Sequence, residues 1–288
     1  MNAALLSIVL TAALLHAAWN FLVKRRGEQF FILALINFGI TVLAAPFLFL
    51  VPFPAAAAWP FIIASVVVHV VYHFTLIKAY RHSDLGYAYP IARGSAPLWV
   101  TLGALVFAAE LPGAMQAAGI VFICTAVLAL ALEKGLPRMA NLRPAAVALA
   151  TGLLIAAYTV IDGLGVRTSI AEGEAGRLAD AAGYMAWLFF LDGWVLAVYA
   201  AFTNGAPFAK FARRNWLTGL VGGAAAVGAY SLIIYALSQG AMGLIAALRE
   251  TSVLFATALG ILFLGERLTA VRVVAGVVIV VGVVLLGW

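Results

Sequence analysis

The residues most able to do chemistry in this 288-residue chain are a few ionisable ones set inside long apolar runs. Arg93, Arg249, Glu250 and Asp192 all stand in such runs. An ionisable group in hydrocarbon costs about 2.5–3.5 kcal/mol on insertion scales, so each needs a partner or a task. The arginines offer a fixed positive charge to an anionic group such as a substrate carboxylate. Equally, they can pair with acids or helix-end carbonyls as structural locks. For Arg249 the lock is favoured, because Glu250 and Asp192 are there to neutralise it. A buried carboxyl holds a proton more readily than a surface one, which makes Glu250 and Asp192 candidates for carrying a coupling proton. Their alternative is an ion pair with Arg249 or Arg93. Asp162, near the end of its apolar run, is expected to face water.

His69 and His73 are four residues apart and share a helix face with Tyr72. That spacing suits a metal, but no third ligand accompanies it, so the reading is a polar cavity lining with no metal. Trp and Tyr gather at bilayer interfaces in any case, and Trp59, Trp216 and Trp288 at run ends fit that role. Trp19, Tyr72, Tyr89, Trp99, Tyr158, Trp187, Trp194 and Tyr230 lie deeper. Trp19 with Asn20, Tyr72, Tyr89, Trp99, Tyr158 and Tyr230 join Arg93 and the histidines as candidate substrate-binding residues.

These side chains must be carried by membrane-spanning elements. The chain is 66% hydrophobic and 10% charged, with a mean hydropathy of +1.11. A soluble domain carries about 25% charged residues. A helix needs about 20 apolar residues to cross the hydrocarbon core, and ten such runs are predicted, at 2–23, 30–51, 60–80, 85–109, 113–132, 144–164, 183–203, 216–237, 241–264 and 268–287. Runs such as Val273–Leu286 lack the alternation of a transmembrane barrel. Residues 1–23 lack the basic start of a signal peptide and are read as a span. The single cysteine, Cys124, excludes a disulfide framework. No cofactor is expected.

Thirteen Lys and Arg fall in connections on one face, after runs 1, 3, 5, 7 and 9, against Arg167 and Arg177 on the other. The basic face is therefore expected to be cytoplasmic and both termini periplasmic. That placement accounts for the net charge of +6 without nucleic acid.

An internal repeat is visible. At an offset of 156 residues, Arg93 meets Arg249, Thr101 meets Thr257, Phe107 meets Phe263 and Glu110 meets Glu266. Near the start, Ala17-Ala18-Trp19-Asn20 parallels Ala156-Ala157-Tyr158-Thr159. The halves are residues 1–136 and 137–288, five runs each. Five is odd, so the second copy is inverted, as in many secondary transporters whose substrate site lies near the midplane. The expected fold is all-α: ten transmembrane helices in two inverted five-helix repeats around a central cavity. Pro90 and Pro97 should bend run 4, and since their counterparts Ala246 and Val253 would not, the halves should differ most there. Gly219-xxx-Gly223 should allow close helix contact, within a monomer first and in a homodimer second.

Leu15-His16-Ala17-Ala18-Trp19-Asn20 with Lys24, Arg93-Gly94-Ser95-Ala96-Pro97 with Glu110, and Leu259 to Thr269 (LGILFLGERLT) together resemble EamA-type members of the drug/metabolite transporter superfamily. The resemblance implies export of small metabolites, commonly amino acids and related compounds, with a small-molecule substrate and the bilayer as partners and no ATP-binding domain. It implies a bacterial inner membrane. Small multidrug antiporters of that superfamily rely on an acid in the first span, absent from 2–23, and nucleotide-sugar carriers on an Asn-Lys pair, also absent. Two other classes compete. A membrane-embedded enzyme needs a catalytic constellation, but Asp162 and Asp192 lack glycine-rich flanks, so no enzyme is expected. A non-transporting assembly protein needs no polar midplane.

Overall fold

A backbone in hydrocarbon must satisfy its own hydrogen bonds, and helices do this locally. The computed structural model describes residues 2–25, 28–82, 85–131, 133, 143–170 and 177–287, the side chains of 25, 76–90, 131 and 143–144 excepted. Among them no strand occurs. The α-helices are α1 (Ala3–Arg25), α2 (Gln29–Ala44), α3 (Trp59–His82), α4 (Leu85–Ala108), α5 (Ala114–Ala131), α6 (Arg143–Ser169), α7 (Arg177–Asp192), α8 (Val195–Gln239), α9 (Met242–Arg249), α10 (Ser252–Leu264) and α11 (Ala270–Leu286).

Seven helical stretches among the described residues are long and apolar enough to cross a membrane, one being the 63-residue stretch Arg177–Gln239; Ala114–Leu130 and Ala270–Leu286 are shorter apolar helices. Their exposed faces are apolar too: α11 presents Val273, Val274, Val277, Val280, Val281 and Val284 outward. So much exposed hydrocarbon is unstable in water and suits lipid. The protein is a multi-pass membrane protein.

The boundaries differ from the sequence expectation at two runs. Run 7, expected as one helix over 183–203, ends at Asp192 and resumes at Val195. Thr41 of α2 donates its hydroxyl to the Phe190 carbonyl freed there, at 3.3 Å. The basic connection at Lys210, Arg213 and Arg214 is helical; the break is at Gly205, whose φ of 40° is non-helical, with Pro207 just beyond. Run 9 is also split, between Arg249 and Ser252. By contrast α4 is one helix across Pro90 and Pro97, so runs 4 and 9 differ, and the break is in run 9.

By contacts the chain separates into two compact units, each drawing on both halves of the sequence. The first holds Met1–Leu10, Val71–Val160 and Gln239–Trp288; the second holds Thr11–Val70 and Ile161–Ser238.

In the first unit α5 packs on α11 and α4 packs on α5 and α9. At Gly119 an added Cβ would stand 2.7 Å from the Gly282 carbonyl oxygen, so these two helices touch through backbone. Glu110 accepts from the Met242 backbone N–H at 2.7 Å, which satisfies an orphan donor at the start of α9. Thr269 caps α11, and Arg272 bridges Glu133 at 3.2 Å and Glu266 at 2.9 Å. The Thr269 hydroxyl, and then Arg272, hold the Glu133 carboxyl below its ordinary range. Its stabilising contribution is thus present at neutral pH and fades only as pH falls through that lowered value.

In the second unit α2 packs on α7, around a core of Ile62, Val166, Tyr184, Leu188 and Ile234. The close approach expected of Gly219 and Gly223 is present, and its partner is α2. A Cβ at Gly39 would lie 2.5 Å from the Gly219 carbonyl oxygen, and one at Gly223 would lie 2.8 Å from the Gly39 carbonyl carbon. Backbone cannot step aside as a side chain can. Gly39→Ala should therefore lower stability by about 1–3 kcal/mol. Gly113→Ala, whose Cβ would meet only Gln116 at 3.8 Å, serves as the control; thermal unfolding in detergent reads both.

Candidate functional site

The split in run 9 lies between Arg249 and Ser252. The Thr251 hydroxyl donates to the Leu248 carbonyl at 2.8 Å and competes for an acceptor of the helical ladder. The backbone responds by tightening: the N–H groups of Glu250, Thr251, Val253 and Leu254 each donate to the carbonyl three residues back. A mid-helix stretch of this kind often marks a functional hinge. Two charges flank it. The Arg93 Nε lies 2.9 Å from Glu250 Oε2, with the two side chains 3% and 1% exposed. The contact is an ion pair more than a hydrogen bond, because the Nε–H does not point along it. Arg93 also donates to the Ser252 hydroxyl at 3.1 Å. One arginine of α4 thereby ties both sides of the break.

Arg249 is in a different position. It is 5% exposed, its Nε has no hydrogen-bond partner, and among the described residues no acid forms a salt bridge with it. Its charge acts on Glu250 only through space. Of the two ion pairs expected for Glu250, the one with Arg93 is present. Glu250 turns to Arg93, not to Arg249, and the repeat-related arginines do different things. Glu250, read as a proton candidate or an ion-pair partner, is the ion-pair partner of Arg93.

In the second unit Asp162 is the centre of a polar cluster, and its expected place in water is corrected: it is 0% exposed. α6 continues to Ser169, a turn and more past the predicted end of run 6, so Asp162 lies within the helix. Tyr184 donates to its Oδ1 at 2.9 Å and Tyr230 donates to its Oδ2. Ser65 faces the same carboxylate, and Ser65 Oγ is 3.1 Å from His69 Nδ1. The His69 ring meets Tyr230 edge-on, centroids 5.7 Å apart. Asp192 ends α7, and Asp162 acts on it electrostatically.

The remaining candidates fall in separate places. Trp19 meets His16 edge-on at 5.1 Å and packs against Val23, Ile32 and Ile36 in the second unit. Asn20 donates to the His16 carbonyl of its own helix at 2.8 Å. In the first unit Tyr72 meets Tyr158 at 5.7 Å and His73 at 5.5 Å, with Tyr158 and His73 buried. Trp99 is 41% exposed and is not gathered with them. Tyr89 lies outside the described side chains. Among the described residues no cluster of His, Cys, Asp or Glu suits a metal ion. Ser65, Tyr184 and Ser252 were missed in the sequence. The first two gave no signal in the sequence, and Ser252 stands beside Thr251 in an apolar run.

Residues 173–288 match the model of the EamA-like transporter family, so the resemblance read from the motifs is shown over that part of the chain, and it points to a membrane transporter of the drug/metabolite type. A crystal structure described only as that of a protein covers 99% of this chain and 96% of its own, with a TM-score of 0.77 at 17% identity. At that identity the likeness speaks for the fold alone. No curated protein matches the sequence.

Proposed function

We propose that this chain is a secondary transporter that exports a small polar or amphipathic metabolite bearing an acidic group, of amino-acid type, by alternating access across a bacterial inner membrane. The observation that carries the reading is Arg249, a buried cation that no acid among the described residues bridges, beside a break in an apolar helix of a region that matches a transporter family. Burying a charge without a partner is costly, and an arriving carboxylate supplies the missing half with two-point geometry. Arg93, by contrast, holds the break together and positions Arg249.

The architecture proposed with it is ten spans in two inverted repeats, 1–136 and 137–288, with both termini periplasmic. The make-up of the two units supports this. The first joins runs 4 and 5 to runs 9 and 10, with the larger part of run 6, and the second joins run 2 and the larger parts of runs 1 and 3 to runs 7 and 8. The packed pairs α2 with α7, α4 with α9 and α5 with α11 are the repeat-related pairs of runs.

Counterflow by the purified protein in liposomes, with a panel of labelled amino acids and their decarboxylated amines, tests the reading. Saturable exchange of at least one amino acid, and weaker exchange of its amine, is expected. Folded protein that exchanges none of the panel overturns the proposal.

A further inference from the structure

We propose that Asp162 is the coupling-ion site of this protein and that the ion is a proton; this rests on the transport reading and adds what drives it. Asp162 sits inside α6, fully out of solvent, and what faces it is neutral. Tyr184 of α7, Tyr230 of α8 and Ser65 of α3 present hydroxyls to its carboxylate. Among the described residues no lysine or arginine neutralises it.

A buried carboxylate that serves packing alone is expected to be ion-paired, as Glu250 is with Arg93. A cradle of hydroxyls does something an arginine cannot. When Asp162 is ionised, the hydroxyls donate to it. When it is protonated, it becomes the donor at one oxygen and the hydroxyl there rotates to accept. Both states are satisfied with little movement of heavy atoms. Protonating Glu250 instead would leave Arg93 buried with an unbalanced charge.

The titratable groups around Asp162 are Tyr184 and Asp192 on α7, Tyr230 on α8 and His69 on α3. His69 Nδ1 stands beside this cradle, 3.0 Å from the Ser65 carbonyl oxygen, to which its N–H donates, and 3.1 Å from Ser65 Oγ.

Proteoliposomes holding the full chain test this with two readouts, counterflow and accumulation driven by an imposed pH gradient. For Asp162→Asn, gradient-driven accumulation is expected to be lost while measurable counterflow remains. Driven accumulation by Asp162→Asn at the wild-type ratio to counterflow overturns the site. Accumulation by wild type that follows a sodium gradient, and not a pH gradient, overturns the proton. Proton binding is also read without transport, from the infrared carbonyl band of a protonated carboxyl in the wild-type protein as pH is lowered. The band should be present in wild type, altered in midpoint by Tyr230→Phe if Asp162→Asn does not fold, and its absence or its indifference to Tyr230→Phe overturns the proposal. Wild-type protein that shows the titrating band but no counterflow refutes transport by this panel while the proton site stands.

Discussion

Arg93→Ala and Glu250→Ala should each lower the stability of the folded protein by about 3–5 kcal/mol, the loss seen when one partner of a buried ion pair is removed. Each single change strands the other charge at a site 3% exposed or less. The double change Arg93→Met with Glu250→Leu should recover most of that loss, because neither charge is then left behind and much of the volume is kept. Thermal unfolding in detergent measures all three. Single variants that melt with the wild type would mean that the pair holds nothing together, and Arg93 would then be open again as a binding residue.

Arg249 should behave in the opposite sense. Arg249→Ala removes a buried charge that no acid among the described residues bridges, so the unfolding midpoint is expected to stay level or rise. Transport of an acid-bearing substrate should fall by about tenfold to a hundredfold, the equivalent of losing charged hydrogen bonds at about 1.5–3 kcal/mol. A methyl ester of the same substrate should lose far less. Arg249→Lys should restore part of the activity if charge alone matters and little if the planar guanidinium is required. The pair of arginines thus separates binding from structure: one variant melts early, and the other melts normally and fails to transport. An Arg249→Ala protein that carries the acid at the wild-type rate would assign Arg249 no role in binding.

Whether a helix forms in this chain was legible residue by residue, because apolar length and charge placement are local properties. Runs 1, 3, 4, 5, 6 and 10 correspond to α1, α3, α4, α5, α6 and α11 within a few residues. Runs 7 and 9 did not announce their breaks. At Gly193 the cause is distant: a Cβ there would lie 2.4 Å from the Asn37 carbonyl oxygen of α2. At Thr251 the cause is a side-chain hydroxyl set against the helix's own ladder, a choice that the Arg93 contacts on either side help to settle. Prolines, the obvious breakers in the sequence, left α4 continuous.

The sequence by itself determined that the chain lives in a bilayer, that its polar groups are few enough for each to need a reason, and that Arg93, Arg249, Glu250 and the histidines were among those to ask about. It could do so because burial cost depends on residue type and on the apolar run around it. Only the tertiary structure decided which charge meets which. Arg93 and Arg249 align with each other at an offset of 156 residues in the sequence, yet the carboxylate of Glu250 forms its salt bridge with Arg93. Asp162 and its hydroxyls come from four helices, separated by up to 165 residues along the chain, from Ser65 to Tyr230. Partner choice is a matter of a few ångströms between elements distant in sequence, and no periodicity along the chain encodes it.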